Sequence, residues 1–441
     1  MDGPLTIERV LIANRGIVAA RLIGACRAHG LESVVAFSEP DAEQALLDEA
    51  DYAVYLNGRT VAETYLDPGR VVGAAMDAGC EALHPGTCFL AEHLGFFQRA
   101  ANANVLVVAP PAQVAYRVVD RRSLRTLATG AGLPLIPASD PIPPGGDGLM
   151  EASRIGGPLY VKAVHGRALE RVEKLADVPA AVQRVRSIAR LVAGDEGVFL
   201  ERAVDARRHV GAVVVGDGES PPVLLGWVDS SAERGRFTHL EECGRAVVPA
   251  ALAPELVRQA RALFAAVGWR GVGRIRWALT PDGGAYLLGI SARLTNGFGL
   301  VEAVHGVDLI DAQLRLMTDG ALGWEQPELA DDAHGIQLRI YHEDDSGLRP
   351  TGVLEGLALP DGGAIRTAVG VDVGTPCSRE TEPLLATVTV TGPTRQAAVV
   401  LARAALDGVR ISGLPTNVER LRALLGRRDF WEGVHDARVL R

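Results

Sequence analysis

Two apolar segments separated by a short turn, within residues 271–308, constrain the fold of this chain more than any other feature of its sequence. Large apolar side chains mark both segments: Val272, Ile275, Trp277 and Leu279 before the turn, and Tyr286, Leu287, Leu288 and Ile290 after it. The turn has the sequence PDGG at residues 281–284, which favours a tight chain reversal. We therefore predict a β-hairpin, followed by an irregular loop with the sequence SARLTNG and then by a helix.

The first 119 residues alternate short apolar runs with helical patterns. Residues 10–13 form an apolar run, and after it Val18, Leu22, Ile23 and Cys26 recur at helical spacing. Further apolar runs lie at residues 34–37, 82–83 and 105–108. Such alternation is typical of a parallel β-sheet with helices on both faces, so we predict an α/β unit over residues 1–119.

The same patterns divide the rest of the chain into three units, at residues 120–204, 205–333 and 334–441. The first has a predicted helix at 123–130 and strands at 159–163 and 198–201, with a connection rich in proline and glycine at 137–149. The second is rich in predicted strands, with helices at 253–267 and 302–318. The third combines strands such as 386–390 with a helix at 394–408 and a last helix that begins at Asn417.

Charge and cysteine usage exclude several functional classes. The net charge of −9 comes without a compensating basic block, which argues against nucleic-acid binding. No apolar run reaches the roughly 18 residues that a membrane span needs, and the first residues lack a secretion signal. The five cysteines are scattered and include no CxxC pair, which argues for reduced thiols and against structural zinc. We expect a cytoplasmic protein without membrane or nucleic-acid partners.

Short motifs along nearly the whole chain match, in order and spacing, those of biotin carboxylases, which belong to the ATP-grasp superfamily. The matching stretches are residues 12–16 (IANRG), 84–86 (HPG), 208–210 (RHV), 305–310 (HGVDLI) and 411–417 (ISGLPTN), together with the hairpin and its loop. The resemblance implies a mixed α/β and α+β fold. It consists of an N-terminal parallel α/β domain (1–119), an ATP-grasp domain with a small lid (120–204) and a large part (205–333), and a β-rich C-terminal domain (334–441).

The resemblance also implies an activity and an assembly. Biotin carboxylases use Mg-ATP and bicarbonate to carboxylate biotin, which is presented by a separate carrier or carrier domain. None of the four methionines adjoins a lysine in the carrier's Met-Lys-Met pattern, so we expect no carrier domain in this sequence. Arg21 and Arg366 match positions near the family's dimer contact, so a homodimer is expected.

The positions that match the family's magnesium ligands carry no carboxylate. Mg²⁺ prefers hard oxygen ligands, which the family supplies from the positions that here are Arg276 and Gly289, with help from the one that is Ser291. Arginine is cationic and offers only donors. No acidic residue lies between Gly271 and Thr280, so a small register shift would not supply one. We therefore expect no metal site, no required cofactor and at most weak ATP binding.

Two other parts of the family's mechanism also differ here. The glycine-rich phosphate lid that follows the family's lysine is reduced, after Lys162, to Gly166 alone. Thr238 matches a lysine of the carboxylation centre, and Gly297 matches its general base, so neither an ammonium nor a carboxylate is expected there. These differences come from separate motifs, which argues against a single misalignment.

Several polar residues nevertheless match family site positions. Lys162 and Glu201 match residues that contact ATP, and His209, Arg293 and Arg339 match others, Arg293 being the arginine that steadies the biotin enolate. One interpretation is that internal ion pairs keep them as parts of the frame. The other is a pocket that still binds an anion, in which Arg276, Arg293 and Arg339 converge. His239, beside two glutamates, is a further candidate, as a base.

Three functional hypotheses follow from these residues. The first is a non-carboxylating homologue that binds a small molecule or a partner in the former nucleotide and biotin cleft. The second is an enzyme that acts on a small metabolite without ATP, using a cluster drawn from Arg276, Ser291, Thr295, Asn296 and His239. The third is an active biotin carboxylase subunit of an acyl-CoA carboxylase. The sequence favours the first two.

Overall fold

The computed structural model describes residues 7–165, 168–193, 195–235, 237–322 and 333–440. Its strands form two large sheets and three small ones. Within the described residues, no helix is both long enough and apolar enough to cross a membrane.

The N-terminal unit is a five-stranded sheet in which all neighbouring strands are parallel. Its strands are β1 (Arg9–Ile12), β2 (Glu32–Phe37), β3 (Tyr52–Tyr55), β4 (Ala82–His84) and β5 (Leu106–Val107), in the spatial order β3-β2-β1-β4-β5. Its helices are α1 (Gly16–Ala28), α2 (Leu46–Glu49), α3 (Pro68–Asp77), α4 (Leu94–Asn102) and α5 (Ala112–Val119). The parallel sheet predicted for residues 1–119 is confirmed.

The second unit is small and antiparallel. It contains α6 (Arg121–Gly130), α7 (Leu149–Ile155), β6 (Leu159–Ala163), β7 (Leu169–Val172), α8 (Val178–Ala193) and β8 (Val198–Arg202). The strands form a sheet in the order β7-β6-β8, and α8 packs on β6 and β7. We call this unit the lid, after its counterpart in the family that the sequence resembles.

An eight-stranded, antiparallel sheet forms the centre of the molecule. From residues 205–333 come β9 (Arg208–Asp217), β10 (Val223–Arg234), β11 (Phe237–Cys243), α9 (Ala253–Val267), β12 (Arg270–Leu279), β13 (Ala285–Ser291), α10 (Phe298–His305) and α11 (Leu309–Thr318). The spatial order is β13-β12-β9-β10-β11-β14-β19-β17, so strands from the last unit continue the same sheet. The hairpin predicted around the PDGG turn is β12 and β13, which form one edge of the sheet.

The last unit completes the central sheet and adds a helical layer. Its elements are β14 (His334–Tyr341), β15 (Gly352–Val353), β16 (Gly356–Ala358), β17 (Ile365–Val369), β18 (Pro376–Cys377), β19 (Leu384–Gly392), α12 (Arg395–Gly408), β20 (Arg410–Ser412), α13 (Val418–Gly426) and α14 (Arg428–Trp431). Helix α12 packs on β14 and β19, and α13 packs on α12.

The helix predicted at residues 302–318 is in fact two helices, α10 and α11. Gly306 ends α10 with a backbone φ of 67°, a left-handed conformation that glycine adopts without steric cost. Asp308 then caps α11, because its carboxylate accepts hydrogen bonds from the backbone N–H groups of Ile310 and Asp311. The apolar pattern spans both helices, which concealed the break.

Candidate active site

A cavity of about 390 Å³ lies where the N-terminal unit meets the central sheet. The residues around it belong to the end of β1 and the start of α1, to the segments at 61–66 and 87–89, to strands β10–β14, to the loop that follows β13 and to the start of β19. Arg276, Arg293 and Arg339 all line it, as do Ser291, Thr295 and Asn296. We refer to it as the central cavity.

Strand alternation places two arginines on the cavity face of β12. Ile275 and Trp277 point into the hydrophobic core on the opposite face, where both are fully buried. Arg274 and Arg276 therefore face the cavity. In the hairpin register Arg274 lies opposite Ser291, and Arg276 lies opposite Gly289. The two positions at which the resemblance implies magnesium carboxylates are thus cross-strand neighbours, occupied by a guanidinium and a glycine.

The floor of the cavity is built around the carboxylate of Glu241. Nη1 of Arg274 donates to it over 2.7 Å, and Nη2 of Arg339 donates to its other oxygen over 2.5 Å. All three side chains are almost completely buried. Burial opposes ionisation, but the two guanidiniums outweigh it and hold the pKa of Glu241 below its ordinary value. Glu241 therefore carries a fixed negative charge inside the site.

Glu241 also occupies the space next to Gly297. A Cβ atom added to Gly297 would overlap the Oε2 atom of Glu241, and it would lie 3.1 Å from Nη2 of Arg339. A side chain at position 297 therefore requires Glu241 to leave its arginine partners. The general-base position that the resemblance assigns to residue 297 is filled by a carboxylate that two arginines already neutralise.

A second group of polar side chains contacts the carboxylate of Glu233, which lines the cavity. Nη1 of Arg276 lies 3.6 Å from its Oε1, and Nδ1 of His209 lies 3.6 Å from its Oε2. The hydroxyl of Thr238 donates to Oε1 over 3.3 Å. His209 and Arg276 thus meet at one carboxylate, although His209 does not line the cavity itself.

Arg293 ties the loop after the hairpin to the N-terminal unit. Its Nε donates to Oε1 of Glu92 over 3.0 Å, and its Nη1 donates to the carbonyl of Leu294 over 2.9 Å. The guanidinium also lies over the ring of Phe89, 4.3 Å from its centroid. These contacts hold Arg293 in the lining of the cavity, where its side chain is only 7% exposed.

Lys162 and Glu201 form an ion pair in the lid and do not line the central cavity. Arg125 approaches the same carboxylate at 3.8 Å. Burial lowers the pKa of Lys162, and Arg121 and Arg276 act in the same direction although Glu201 opposes them. Lys162 therefore lies near the cations Arg121 and Arg276 as well as near its partner Glu201.

His239 lies outside the cavity, contrary to the role of base considered from the sequence. Its side chain is fully buried, with Nδ1 3.0 Å from Nδ2 of Asn417 and Nε2 3.7 Å from Glu343. Burial lowers the pKa of His239 to about 3, and three nearby arginines add to the effect. Asn417 and Glu343 come from the last unit, and no local pattern in the sequence shows that this unit covers β11.

Arg274 and Glu233 also line the cavity, although neither is among the site residues predicted from the sequence. Arg274 had a usable signal, because it stands two residues before Arg276 and so shares its strand face. Glu233 had none, since an irregular register between β10 and β11 decides where its side chain points. Residues 166 and 167 of the predicted phosphate lid lie outside the described residues.

The side chains at the hairpin do not fit Mg²⁺. An arginine in place of a carboxylate repels the ion, and Glu241 is committed to two guanidiniums. Across the described ranges, no group of three or more His, Cys, Asp or Glu side chains is arranged to hold a metal ion.

Three family descriptions match consecutive parts of the chain. Residues 6–115 match "Biotin carboxylase, N-terminal domain", and residues 337–441 match "Biotin carboxylase C-terminal domain". Residues 120–324 match "Carbamoyl-phosphate synthase L chain, ATP binding domain".

Similar proteins include carboxylase components from several organisms. The chain is 32% identical over 430 residues to the biotin-dependent acyl-coenzyme A carboxylase alpha3 subunit of Mycobacterium leprae, covering 95% of the chain and 71% of that subunit. It is 28% identical to the biotin carboxylase of Halalkalibacterium halodurans, over 97% of the chain and 95% of that protein. It is also 30% identical to the urea amidolyase of Lachancea kluyveri, but it spans only 23% of that longer protein.

Solved structures show the same architecture. The biotin carboxylase domain dimer of Hydrogenobacter thermophilus 2-oxoglutarate carboxylase, in complex with MgADP, ADP and bicarbonate, superimposes with a TM-score of 0.91 at 25% identity, over 98% of this chain and 97% of that one. The Campylobacter jejuni biotin carboxylase gives 0.88 at 25% identity, over 99% and 98%. The predicted fold class is confirmed, and the chain belongs to the biotin carboxylase family.

Proposed function

We propose that this chain is a non-carboxylating member of the family, which binds a ligand in the inherited cleft instead of transferring a phosphoryl group from Mg-ATP. The pairing of Arg276 with Gly289 at the hairpin carries this proposal. Phosphoryl transfer depends on positioned cations that neutralise the phosphate charge, and the metal needs carboxylate ligands. A guanidinium at this position leaves no place for that metal.

The carboxylation centre supports the same proposal. Thr238 supplies a hydroxyl, bonded to Glu233, where the resemblance implies an ammonium group. Gly297 supplies no side chain, and Glu241 fills the adjacent space with a carboxylate held below its ordinary pKa by two arginines. A general base must accept a proton near neutral pH, which a carboxylate stabilised in its charged form does poorly.

The persisting family residues have structural partners that account for their presence. Arg293 bonds Glu92, Arg339 bonds Glu241, and Lys162 bonds Glu201. Each pair joins different elements of the fold, so each can be kept without catalysis. Removing one partner of such a buried pair leaves an uncompensated charge, which is strongly destabilising.

An active biotin carboxylase subunit is the second candidate. It is favoured by relatives with carboxylase names that match nearly the whole chain, and by the presence of Lys162, Glu201, His209, Arg293 and Arg339. It requires metal ligands from positions other than 276 and 289. An enzyme that acts without ATP is the third, and four of the five residues considered for it line the cavity, His239 being the exception.

An ADP-release assay with the purified chain tests the proposal directly. The reaction contains Mg-ATP, bicarbonate and free biotin, and the Campylobacter jejuni biotin carboxylase is assayed in parallel as the active control. We expect no biotin-dependent ADP release above the rate without enzyme. Release that requires Mg²⁺, bicarbonate and biotin together contradicts the proposal and supports the second candidate.

We further propose that the chain forms a homodimer. One solved structure with the same fold is described as a dimer. Arg366, one of the two positions matched to the family's dimer contact, lies exposed on β17, which is an edge strand of the central sheet. The other, Arg21, bonds Glu302 and Asp308 within the chain.

A further inference from the structure

The inner part of the central cavity carries more positive than negative charge. Three guanidiniums, those of Arg274, Arg276 and Arg339, face only two carboxylates, those of Glu233 and Glu241. Other cavity arginines have acids of their own, since Arg293 pairs with Glu92 and Arg15 with Asp41 and Glu382. The cavity as a whole is balanced, because Arg15 has two acids. The imbalance is local: the three inner guanidiniums share two carboxylates, and an anion bound beside them would offset the excess positive charge.

The hydrogen bonding of Arg274 and Arg276 shows the same imbalance. The side chain of Arg274 is only 5% exposed, and its buried Nε and Nη2 atoms have no acceptor among the described residues. Arg276 is 29% exposed and contacts Glu233 at 3.6 Å, longer than a hydrogen bond. Arg276 is therefore the guanidinium that an incoming molecule can reach, above a floor with excess positive charge.

The rest of the lining indicates which kind of anion fits. Neutral hydrogen-bonding side chains surround the arginines, namely Ser291, Thr295 and Asn296. The lining from the N-terminal unit includes the apolar side chains of Val18, Val61 and Leu66, beside polar ones such as Asn14 and Thr87. A guanidinium binds a planar carboxylate through two parallel hydrogen bonds. The cavity volume of about 390 Å³ lies within the range of small-molecule sites.

From this arrangement we infer that the central cavity binds a small organic carboxylate without a metal ion, with Arg276 holding the carboxylate and the lining from the N-terminal unit covering an apolar tail. This inference rests on the proposed function, because it requires a cavity from which Arg276 excludes Mg²⁺. Of the two arginines that determine it, Arg274 matches no position that the resemblance assigns to the family's site, and Arg276 stands where the resemblance implies a magnesium ligand.

Calorimetric titration of the full chain in EDTA tests the inference, with hexanoate as the probe. Hexanamide has the same shape without the charge, and inorganic phosphate is an anion without the apolar tail. We expect saturable binding of hexanoate. Hexanamide should bind about tenfold more weakly or worse, because it loses a charge-assisted contact, and phosphate should bind equally weakly, because it lacks the apolar tail. Binding that appears only with Mg²⁺, or equal binding of hexanamide, overturns the inference.

Substitutions locate the binding site. Arg276→Gln is expected to weaken hexanoate binding about tenfold or more. Arg276→Lys keeps the charge but loses the two parallel N–H donors, so its affinity for hexanoate is expected to lie between those of the wild type and Arg276→Gln. The control is Arg258→Gln, an exposed arginine that pairs with Glu255 on α9 and lies outside the cavity. Circular dichroism checks that each variant is folded. Unchanged binding by Arg276→Gln contradicts the inference.

The two proposals fail separately. If hexanoate does not bind and biotin-dependent ADP release is absent, the carboxylate site is wrong while the non-carboxylating function stands. If ADP release is observed, the proposed function is wrong whatever hexanoate does. Phosphate binding tighter than hexanoate binding overturns the carboxylate assignment in favour of a phosphorylated ligand.

Discussion

At Gly297, the space that a side chain would occupy is taken by Glu241. The position has an ordinary negative φ of −86°, so a side chain there meets no backbone strain. The obstacle is Glu241, whose carboxylate occupies the space and is fixed by Arg274 and Arg339. A larger residue at 297 must therefore break a buried ion-pair network.

Gly297→Ala tests this packing. We expect the free energy of unfolding to fall by about 1–3 kcal/mol, the usual cost of overpacking a well-filled site. Gly299→Ala is the matched control, because its added Cβ meets only Gln337, at 3.8 Å, within helix α10. That control should be neutral or slightly stabilising, by up to about 1 kcal/mol. Equal stability of Gly297→Ala and wild type in urea unfolding would contradict the crowding of residue 297.

Side-chain direction explains which site residues the sequence predicted. Arg276, Arg293 and Arg339 converge on one cavity as expected, because strand alternation and a short loop determine where they point. His239 is elsewhere, because contacts with Asn417 and Glu343, which come from distant parts of the chain, decide its surroundings. The assignment of these residues to ligand binding stays a prediction.

At the scale of elements, a carboxylate joins three helices. Glu302 on α10 accepts hydrogen bonds from Arg21 on α1 and from the backbone N–H of Leu309 at the start of α11. Burial raises the pKa of Glu302 to about 7 from 4.5, and Asp308 adds to the effect although Arg21 opposes it. The native state therefore holds a proton that the unfolded chain releases between these two pH values.

The pH dependence of stability follows from that proton. Between about pH 4.5 and 7 the unfolded chain binds fewer protons, so Glu302 lowers the free energy of unfolding by up to about 1.4 kcal/mol per pH unit as pH rises. In Glu302→Gln this contribution is absent, so the variant should gain stability relative to wild type from pH 5 to pH 8. The exposed Glu219→Gln is the control. A stability difference that does not change with pH in urea unfolding would contradict the raised pKa.

Strands and helices with a strong local pattern can be predicted from the sequence. A break between two helices at a single glycine is harder to predict. The hairpin β12–β13 and the parallel N-terminal sheet were predicted, because period-two strands and alternating strand–helix runs have distinct signatures. The division between α10 and α11 was not, because a continuous apolar pattern spans Gly306. The units predicted at 205–333 and 334–441 contribute strands to one sheet. That arrangement depends on long-range strand pairing, which no local pattern reveals.

At the scale of the whole molecule, the proposed homodimer is tested by light scattering. We expect a mass twice the 46.6 kDa of one chain at micromolar concentration. Arg366→Glu reverses the charge on an exposed edge strand and should shift the mass towards one chain. Arg403→Glu, on α12, serves as the charge-matched control. A wild-type mass equal to one chain would contradict the dimer.

We propose that a guanidinium, that of Arg276, stands in the cleft in place of the metal-binding carboxylates of the family. Titration of the chain with ATP, in EDTA and again with excess Mg²⁺, tests it most directly, because only the metal differs between the two measurements. We predict that Mg²⁺ does not strengthen ATP binding, since Arg276 repels the ion and Gly289 offers no ligand. A tenfold or greater increase in ATP affinity on adding Mg²⁺ would contradict the account.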